Sequence, residues 1–361
     1  MNLHCYGLIL AGGRGTRFWP RSRKRCAKQV LNVVGERSLI QATVDRLAPL
    51  IPPERVWVMT NEYLRAAIVR QLPEIPARQV LAEPIQRNTA PAIGLAAHIL
   101  RSLDPEAVMG VFPSDHVVGK PAAYRGAVRS AFRGASAGKL MVVGIQPKWP
   151  ETGYGYIEFP RGSGAGASQP VPVRRFHEKP KLAKVQGYLK AGHFFWNSGM
   201  FFWRADSLLD QLRQHAPKTA TVLASLPRFG ARDFARKLGE AFPLCDNISI
   251  DFAVLEKAAA AGQVCGIPAA DFGWSDVGSW NAVFELLPRD ADGNATGCQS
   301  LCLDAHDNFV DARDKLVALL GVDDLIVVDT PDALLVASRD CAQKVGEVVK
   351  ALETRKREDL L

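Results

Sequence analysis

Four short apolar runs, Tyr6 to Leu10, Arg55 to Met59, Val108 to Phe112 and Leu140 to Gly144, alternate with longer amphipathic stretches through the first half of the chain. Short runs rich in β-branched residues read as strands, and the stretches between them carry helix signals. Ser38 with Gln41 makes a capping box, Asn61 can cap the next helix, and Pro91 stands in the first turn of a third that runs to about Leu103. Strands that alternate with helices imply a mostly parallel mixed sheet covered on both faces. The expected fold class is therefore α/β, with helices flanking the sheet.

From about Glu151 the texture changes. Arg161 to Pro172 is rich in Gly, Ser, Ala and Pro, and reads as a hairpin tip or loop inserted in the Rossmann-like α/β domain. The boundary expected between two domains lies near Pro288 to Gly297, where Asp290, Asp292, Gly293 and Asn294 cluster, dividing the chain into 1–288 and 289–361. Beyond it, Leu301 to Leu303, Asn308 to Val310, Leu316 to Leu320, Leu325 to Asp329 and Ala333 to Ala337 recur at short spacing with Asp or Gly turns between them. They predict a small β-domain, with a short left-handed β-helix as one arrangement of it. Cys341 to Leu352, apolar at Val345, Val348, Val349 and Leu352, predicts a terminal helix.

At 361 residues and 47% hydrophobic content the chain can bury a full core. The apolar run at Tyr6 to Ala11 is followed by glycines and arginines rather than a cleavage site, and no stretch is long enough to span a bilayer, so a cytoplasmic protein with no membrane partner is expected. Seven cysteines with no CxxC pair fit reduced thiols, and scattered histidines argue against zinc. A net charge of +8 alone does not separate a nucleic-acid binder from an enzyme for anionic small molecules. Its distribution does more: Arg14, Arg17, Arg21, Arg23, Lys24, Arg25 and Lys28 follow a glycine-rich turn, which favours a polyphosphate ligand over a merely solvated loop.

That turn lies in Leu10-Ala11-Gly12-Gly13-Arg14-Gly15-Thr16-Arg17, directly after the first strand, where a glycine backbone can bring several amides to a phosphate. It lacks the GxxxxGK[ST] spacing of a P-loop, and Phe18 stands where a dinucleotide fingerprint needs its third glycine.

The whole segment LAGGRGTRFWPRSR resembles the signature loop of the sugar nucleotidyltransferases, and its Trp-Pro-x-Ser-Arg ending resembles their mannose-1-phosphate guanylyltransferase branch. EPIQRNTAPA (Glu83 to Ala92), FPSDHVV (Phe112 to Val118), PETGYGYIE (Pro150 to Glu158), FHEKP (Phe176 to Pro180), WNSGMFFW (Trp196 to Trp203), SIDFAVLEK (Ser249 to Lys257) and WSDVGSW (Trp274 to Trp280) match in the same order. VVDTPDALLV, Val327 to Val336, extends the likeness into the β-domain. One departure stands at Cys26-Ala27-Lys28-Gln29-Val30, where the family usually has Pro before the lysine and Phe after the glutamine. Lys28 is nevertheless assigned as the family's phosphate-contacting lysine.

The resemblance implies a role for each motif. Asp115, just beyond a strand end, and Asp276 would hold Mg2+ against phosphate oxygens, although a lone aspartate of this kind caps a turn equally well. Arg17 and Lys28 would act on the triphosphate with the loop residues. Asn88 and nearby backbone would read the base, with Glu83 near the ribose. Glu178 would accept from sugar hydroxyls, Lys179 would bind the sugar phosphate, Gly153 and Gly155 would bring backbone close to the sugar, and Asn197 would offer its amide. A surface ion pair, a hairpin turn and a satisfied core amide are the plainer readings of these last residues. Trp196, Phe201, Phe202 and Trp203 are expected in the sheet core rather than stacked on sugar.

The implied reaction transfers GMP from GTP to mannose 1-phosphate, releasing pyrophosphate. Rival readings are the same chemistry on another nucleotide and sugar phosphate, and a silent regulatory or RNA-binding homologue; retention of both aspartates argues against silence. No nucleic-acid partner is expected, a homodimer is, and the phosphomannose isomerase activity fused to longer relatives is not.

Overall fold

The computed structural model describes residues 3–313 and 315–361. Strands β1 (Cys5–Leu10), β2 (Val56–Asn61), β3 (Val80–Glu83) and β4 (Val108–Pro113) lie in the order β3-β2-β1-β4 with every pairing parallel. The residues of β1, β2 and β4 are buried almost without interruption, as strands covered on both faces must be. The covering helices begin where the sequence signals stand. Ser38 Oγ accepts from Gln41 N and Gln41 Oε1 from Ser38 N at the start of α1 (Leu39–Leu47), and Asn61 Oδ1 accepts from Leu64 N at the start of α2 (Glu62–Gln71). The third helix, α3, runs Thr89–Leu103.

The parallel block ends at a reversal. Strand Phe194–Arg204 lies antiparallel to both β4 and Leu140–Ile145, and Leu140–Ile145 then pairs in parallel with Val264–Pro268. Register shifts between Asn197 and Phe201, beside Gly199 at φ 69°. Such a bulge re-aims side chains, and it begins directly after Asn197, the residue paired with Gly144. Trp196, Phe201, Phe202 and Trp203 are buried in the two apolar layers on either side of the sheet. The Gly-rich segment after Phe159 is a loop whose end, Val171–Pro172, joins the sheet edge beside Val264–Pro268.

The described residues between 294 and 338 form a short β-helix. Ala295–Thr296, Phe309–Asp311 and Leu325–Thr330 stack in parallel, as do Ser300–Leu303 and Val317–Leu320. Buried Asn294 and Asn308 turn successive corners: Asn294 Oδ1 accepts from Asn308 N and Nδ2, and Asn308 Oδ1 accepts from Leu325 N. The last strand, Ala333–Ser338, closes the stack by reversing against Leu325–Thr330. The expected terminal helix is Val345–Thr354, preceded by a 3₁₀ turn at Arg339–Lys344. This domain packs on the segment after β1 through an apolar cluster in which Phe18 meets Trp280 edge-on at 5.0 Å and Trp280 stacks on Phe309 at 5.6 Å.

Candidate active site

The glycine-rich segment leaves β1 as a loop tied down by side-chain amides. Gln29 Nε2 donates to Gly13 O at 3.0 Å, and Gln86 Nε2 donates to Gly12 O. The backbone N–H groups of Gly12, Gly13 and Gly15 take no protein partner among the described residues. Gly15 sits at φ 62°, and a Cβ there would lie 2.7 Å from Lys28 Cβ, so the loop and the Lys28 turn touch only because glycine is present.

Much of the basic cluster also pairs with carboxylates near the end of the chain. Arg14 pairs with Glu353 at 2.7 Å, Arg21 with Asp311 at 2.5 Å, Arg23 with Asp332 at 3.0 Å and Lys24 with Glu358 at 2.5 Å, all carboxylates beyond residue 310. Arg17 donates to Gln343 at 2.6 Å, and Thr16 faces Gly346 of the terminal helix. These pairs tie the loop to the β-domain. The carboxylates that pair with it are some 300 residues away in sequence; Arg17 and Lys28 line the pocket at the two aspartates, and Arg14 and Lys24 line another with Gly13, Glu83 and Gln86.

Lys28 is buried, and its ammonium donates to Asp115 Oδ2 at 3.1 Å and to Asp276 O at 2.6 Å. Asp115 follows the end of β4, and Asp276 follows the short strand Trp274–Ser275, which pairs with Val117–Val118 and so draws the two motifs together. Burial pushes the Asp115 carboxyl up, but the Lys28 charge and its neighbours outweigh that and hold it below the usual range. Tyr154 OH donates to Asp276 Oδ1 at 2.5 Å, and burial together with that carboxylate raises the phenol well above its ordinary value. His116 is pushed down to about 4 by burial; Trp274 Nε1 donates to its Nδ1 at 3.1 Å, which leaves the proton on Nε2.

Asp115, Asp276, Gly12 and Gly13 share a cavity of about 810 Å³ with Leu10, Ala11, Glu83, Asn88, Gly153, Glu178 and Asn197. An adjoining pocket lined by Gly15, Arg17 and Lys28 opens onto the same two aspartates. Glu83 ends β3, buried, and burial raises its carboxyl to about 7. Asn88, at φ 64°, spends its side-chain oxygen on capping α3 through Thr89 N at 2.8 Å. At the far end Gly155 is the floor: a Cβ there would lie 2.6 Å from Glu178 Oε2 and 3.5 Å from Asn197 Cβ. Lys179 is exposed at φ 43°, its Nζ 3.8 Å from Glu178 Oε1, and it lies outside both pockets.

The Nucleotidyl transferase family model matches residues 6–293, and the MannoseP isomerase/GMP-like beta-helix domain matches residues 299–352. The chain belongs to the nucleotidyl transferase family. Within it, the transferase is 41% identical to the xanthan biosynthesis protein XanB of Xanthomonas campestris pv. campestris, over 98% of this chain and 74% of that one. It is 38% identical to the mannose-1-phosphate guanylyltransferase of Escherichia coli K12, over 96% of this chain and 73% of that one. A solved Thermus thermophilus structure, described as a mannose-1-phosphate geranyltransferase, is 35% identical and superposes with a TM-score of 0.85 over 97% of this chain and all of that one.

Two carboxylates on one cleft give the transferase a hard oxygen donor set, with Asp115 Oδ1 and Asp276 Oδ2 uncommitted to Lys28 or Tyr154. That fits a small divalent cation, which usually takes one or two protein carboxylates and fills the rest of its shell with water and phosphate oxygen. Among the described residues there is no cluster of three or more acidic, His or Cys ligands. No helix among them is long and apolar enough to cross a membrane. Sequence reasoning gave no role to Gln29, Gln86, His116 or Asp251, all of which line the cavity; each lay inside or beside a quoted motif, but only the fold shows which way it faces.

Proposed function

We propose that the protein transfers GMP from GTP to α-D-mannose 1-phosphate, giving GDP-mannose and pyrophosphate. The reading is carried by Lys28, Asp115 and Asp276, drawn from three distant stretches into one cleft between the glycine loop and a polar end at Glu178 and Asn197. A phosphate oxygen of mannose 1-phosphate attacks the α-phosphorus of GTP, the bond to the bridging oxygen breaks, and pyrophosphate carries off the negative charge. Phosphate oxygen needs no general base, so the residues need only align and neutralise. Loop N–H groups, Arg17 and Lys28 meet the triphosphate; Lys179 meets the sugar phosphate; Glu178 and Asn197 meet hydroxyls. Asp115 and Asp276 would hold Mg2+, which when bound supplies charge neutralisation at the phosphates.

For the base, a carboxylate is the group that accepts from two adjacent donors, and guanine offers such a pair in N1–H and its 2-amino group. We propose that Glu83, buried on the cleft wall, takes this contact besides the ribose contact expected from sequence; burial raises its carboxyl, and two incoming donors would favour its ionised form. The E. coli relative's name agrees with this choice of substrates. A panel of GTP, ATP, UTP and dTTP against mannose, glucose and heptose 1-phosphates tests it. GTP with mannose 1-phosphate should be preferred by at least about 100-fold in kcat/KM; a better pair overturns the assignment.

The expected homodimer is proposed to form through the outer face of the β-helix. There Leu301, Leu303, Leu316 and Leu320 are 50 to 72% exposed, and register places Leu303 beside Leu320. Leu303 and Leu320 thus form an exposed apolar pair suited to the centre of a two-fold contact. Sedimentation should show a dimer that Leu303→Glu with Leu320→Glu splits; an unchanged dimer, or a wild-type monomer, refutes this contact.

A further inference from the structure

The polar end of the cleft holds a carboxylate that none of the roles above uses. Asp251 opens a π-helical turn, Asp251–Leu255, directly before the helix Glu256–Ala260. Turns of this kind are rare and gather at functional sites. Asp251 lines the cavity with Glu178, Asn197 and Gly155.

Its hydrogen bonds fix the polarity of the site. Asn197 Nδ2 donates to Asp251 Oδ1 at 2.8 Å, and Gly199 N–H donates to Asn197 Oδ1 at 3.1 Å, so the amide is oriented from both sides. What remains is one N–H on Asn197 and the second oxygen of Asp251, a donor beside an acceptor. A hydroxyl group can satisfy both at once, whereas a phosphate would meet a repelling carboxylate.

The electrostatics agree. Asp251 has no ion-pair partner among the described residues, and Glu178 stands near it. Burial raises Asp251, and burial followed by the Asp251 charge raises Glu178. Lys179, exposed and 3.8 Å from Glu178 Oε1, offsets these charges only in part, since both carboxyls stay raised, and sugar hydroxyls are neutral donors that suit both.

We propose that Asp251 is a sugar-binding residue, its free oxygen accepting from one ring hydroxyl of the sugar 1-phosphate while Asn197 Nδ2 donates to that hydroxyl or its vicinal neighbour. Asp251 thereby helps set which sugar phosphates are used. This rests on the sugar-nucleotide reading above.

The test pairs a protein change with a substrate change. Asp251→Asn keeps the shape and can keep the bond from Asn197, but turns an N–H toward the cleft in place of an acceptor. Wild type and variant are assayed with mannose 1-phosphate and its 2-, 3-, 4- and 6-deoxy analogues at saturating GTP. The variant should raise KM for mannose 1-phosphate about 10- to 100-fold while KM for GTP stays within about two-fold. With the one analogue that lacks the contacted hydroxyl, the substitution should add no more than about two-fold. An equal penalty across mannose 1-phosphate and every analogue would show that Asp251 only braces the bulge at Asn197, and would overturn the proposal. Asp251→Ala, which removes both oxygens without adding a donor, runs through the same panel so that poor folding of one variant does not decide the matter. If wild type shows no turnover dependent on mannose 1-phosphate, the substrate assignment itself fails, which is a separate result from lost coupling.

Discussion

The ammonium of Lys28 lies 3.1 Å from the carboxylate of Asp115, buried and with its other bond on the backbone of Asp276. One cation therefore ties the two motifs that flank the cleft before any substrate arrives. Lys28→Met, similar in length, should lower kcat about 100- to 1000-fold. It should also cost about 1–3 kcal/mol of stability, because Asp115 keeps its charge and loses its partner. Magnesium added to the variant should recover part of that stability; thermal melts with and without the metal check this, and an unchanged melt in both conditions contradicts it.

Tyr154 acts on the second aspartate. Its hydroxyl fixes one oxygen of Asp276 at 2.5 Å, so Tyr154→Phe should free that carboxylate to rotate and lower kcat about ten-fold. Asp276→Asn and Asp115→Asn should each cost about 100-fold or more, and excess magnesium should restore only part of it. Asp276→Asn keeps the volume and should melt close to wild type, whereas Asp115→Asn leaves the buried Lys28 ammonium without its carboxylate and should melt lower. An aspartate variant with near-normal turnover at low magnesium is not a metal ligand.

Glu83 makes stability depend on pH. Its carboxyl rises from an ordinary 4.5 to about 7 on folding, so the folded chain holds that proton more tightly than the unfolded chain does. Below pH 4.5 both states are protonated and nothing is lost. Between 4.5 and 7 the unfolded carboxyl ionises first, and stability falls, reaching a plateau above 7 after a loss on the order of 3 kcal/mol. Glu83→Gln should remove this slope, and comparing the two melting curves from pH 4 to 8.5 measures it. The same variant should lose about ten-fold or more of the preference for GTP over ITP, which lacks the 2-amino donor.

How far these features were legible varies with the range of the interaction behind them. Capping residues Ser38 and Asn61 announced their helices because a cap is local, and the apolar runs announced β1, β2 and β4 because strands buried on both faces have little room for polar residues. Asp115 and Asp276 were legible as candidates through motif order. Their meeting depends on a two-residue strand pairing, Trp274–Ser275 with Val117–Val118, that no periodicity announces. The ion pairs of Arg14, Arg21, Arg23 and Lys24 were not legible, since a charge run looks the same whether phosphate or distant carboxylates neutralise it. Asp251 was hidden because a π-helical turn has no sequence period, and its direction depends on Asn197 across the cleft.

Arg17 and Lys179 stand at opposite ends of the proposed reaction. Arg17→Ala should raise mainly the KM for GTP, and Lys179→Ala mainly that for mannose 1-phosphate, each about ten-fold or more. Titrating each substrate against a saturating level of the other separates them. If both variants raise the same constant, the two cations have been assigned to the wrong phosphates.

The central claim is guanylyl transfer to a sugar phosphate, and the most direct measurement is pyrophosphate release by the purified protein. With GTP, mannose 1-phosphate and magnesium together, pyrophosphate should appear in equal amount with GDP-mannose. Omitting any one of the three, or replacing Asp115 and Asp276 with Asn, should abolish the signal. Pyrophosphate released at the same rate without mannose 1-phosphate, or none released with all three present and the protein folded, would contradict the account.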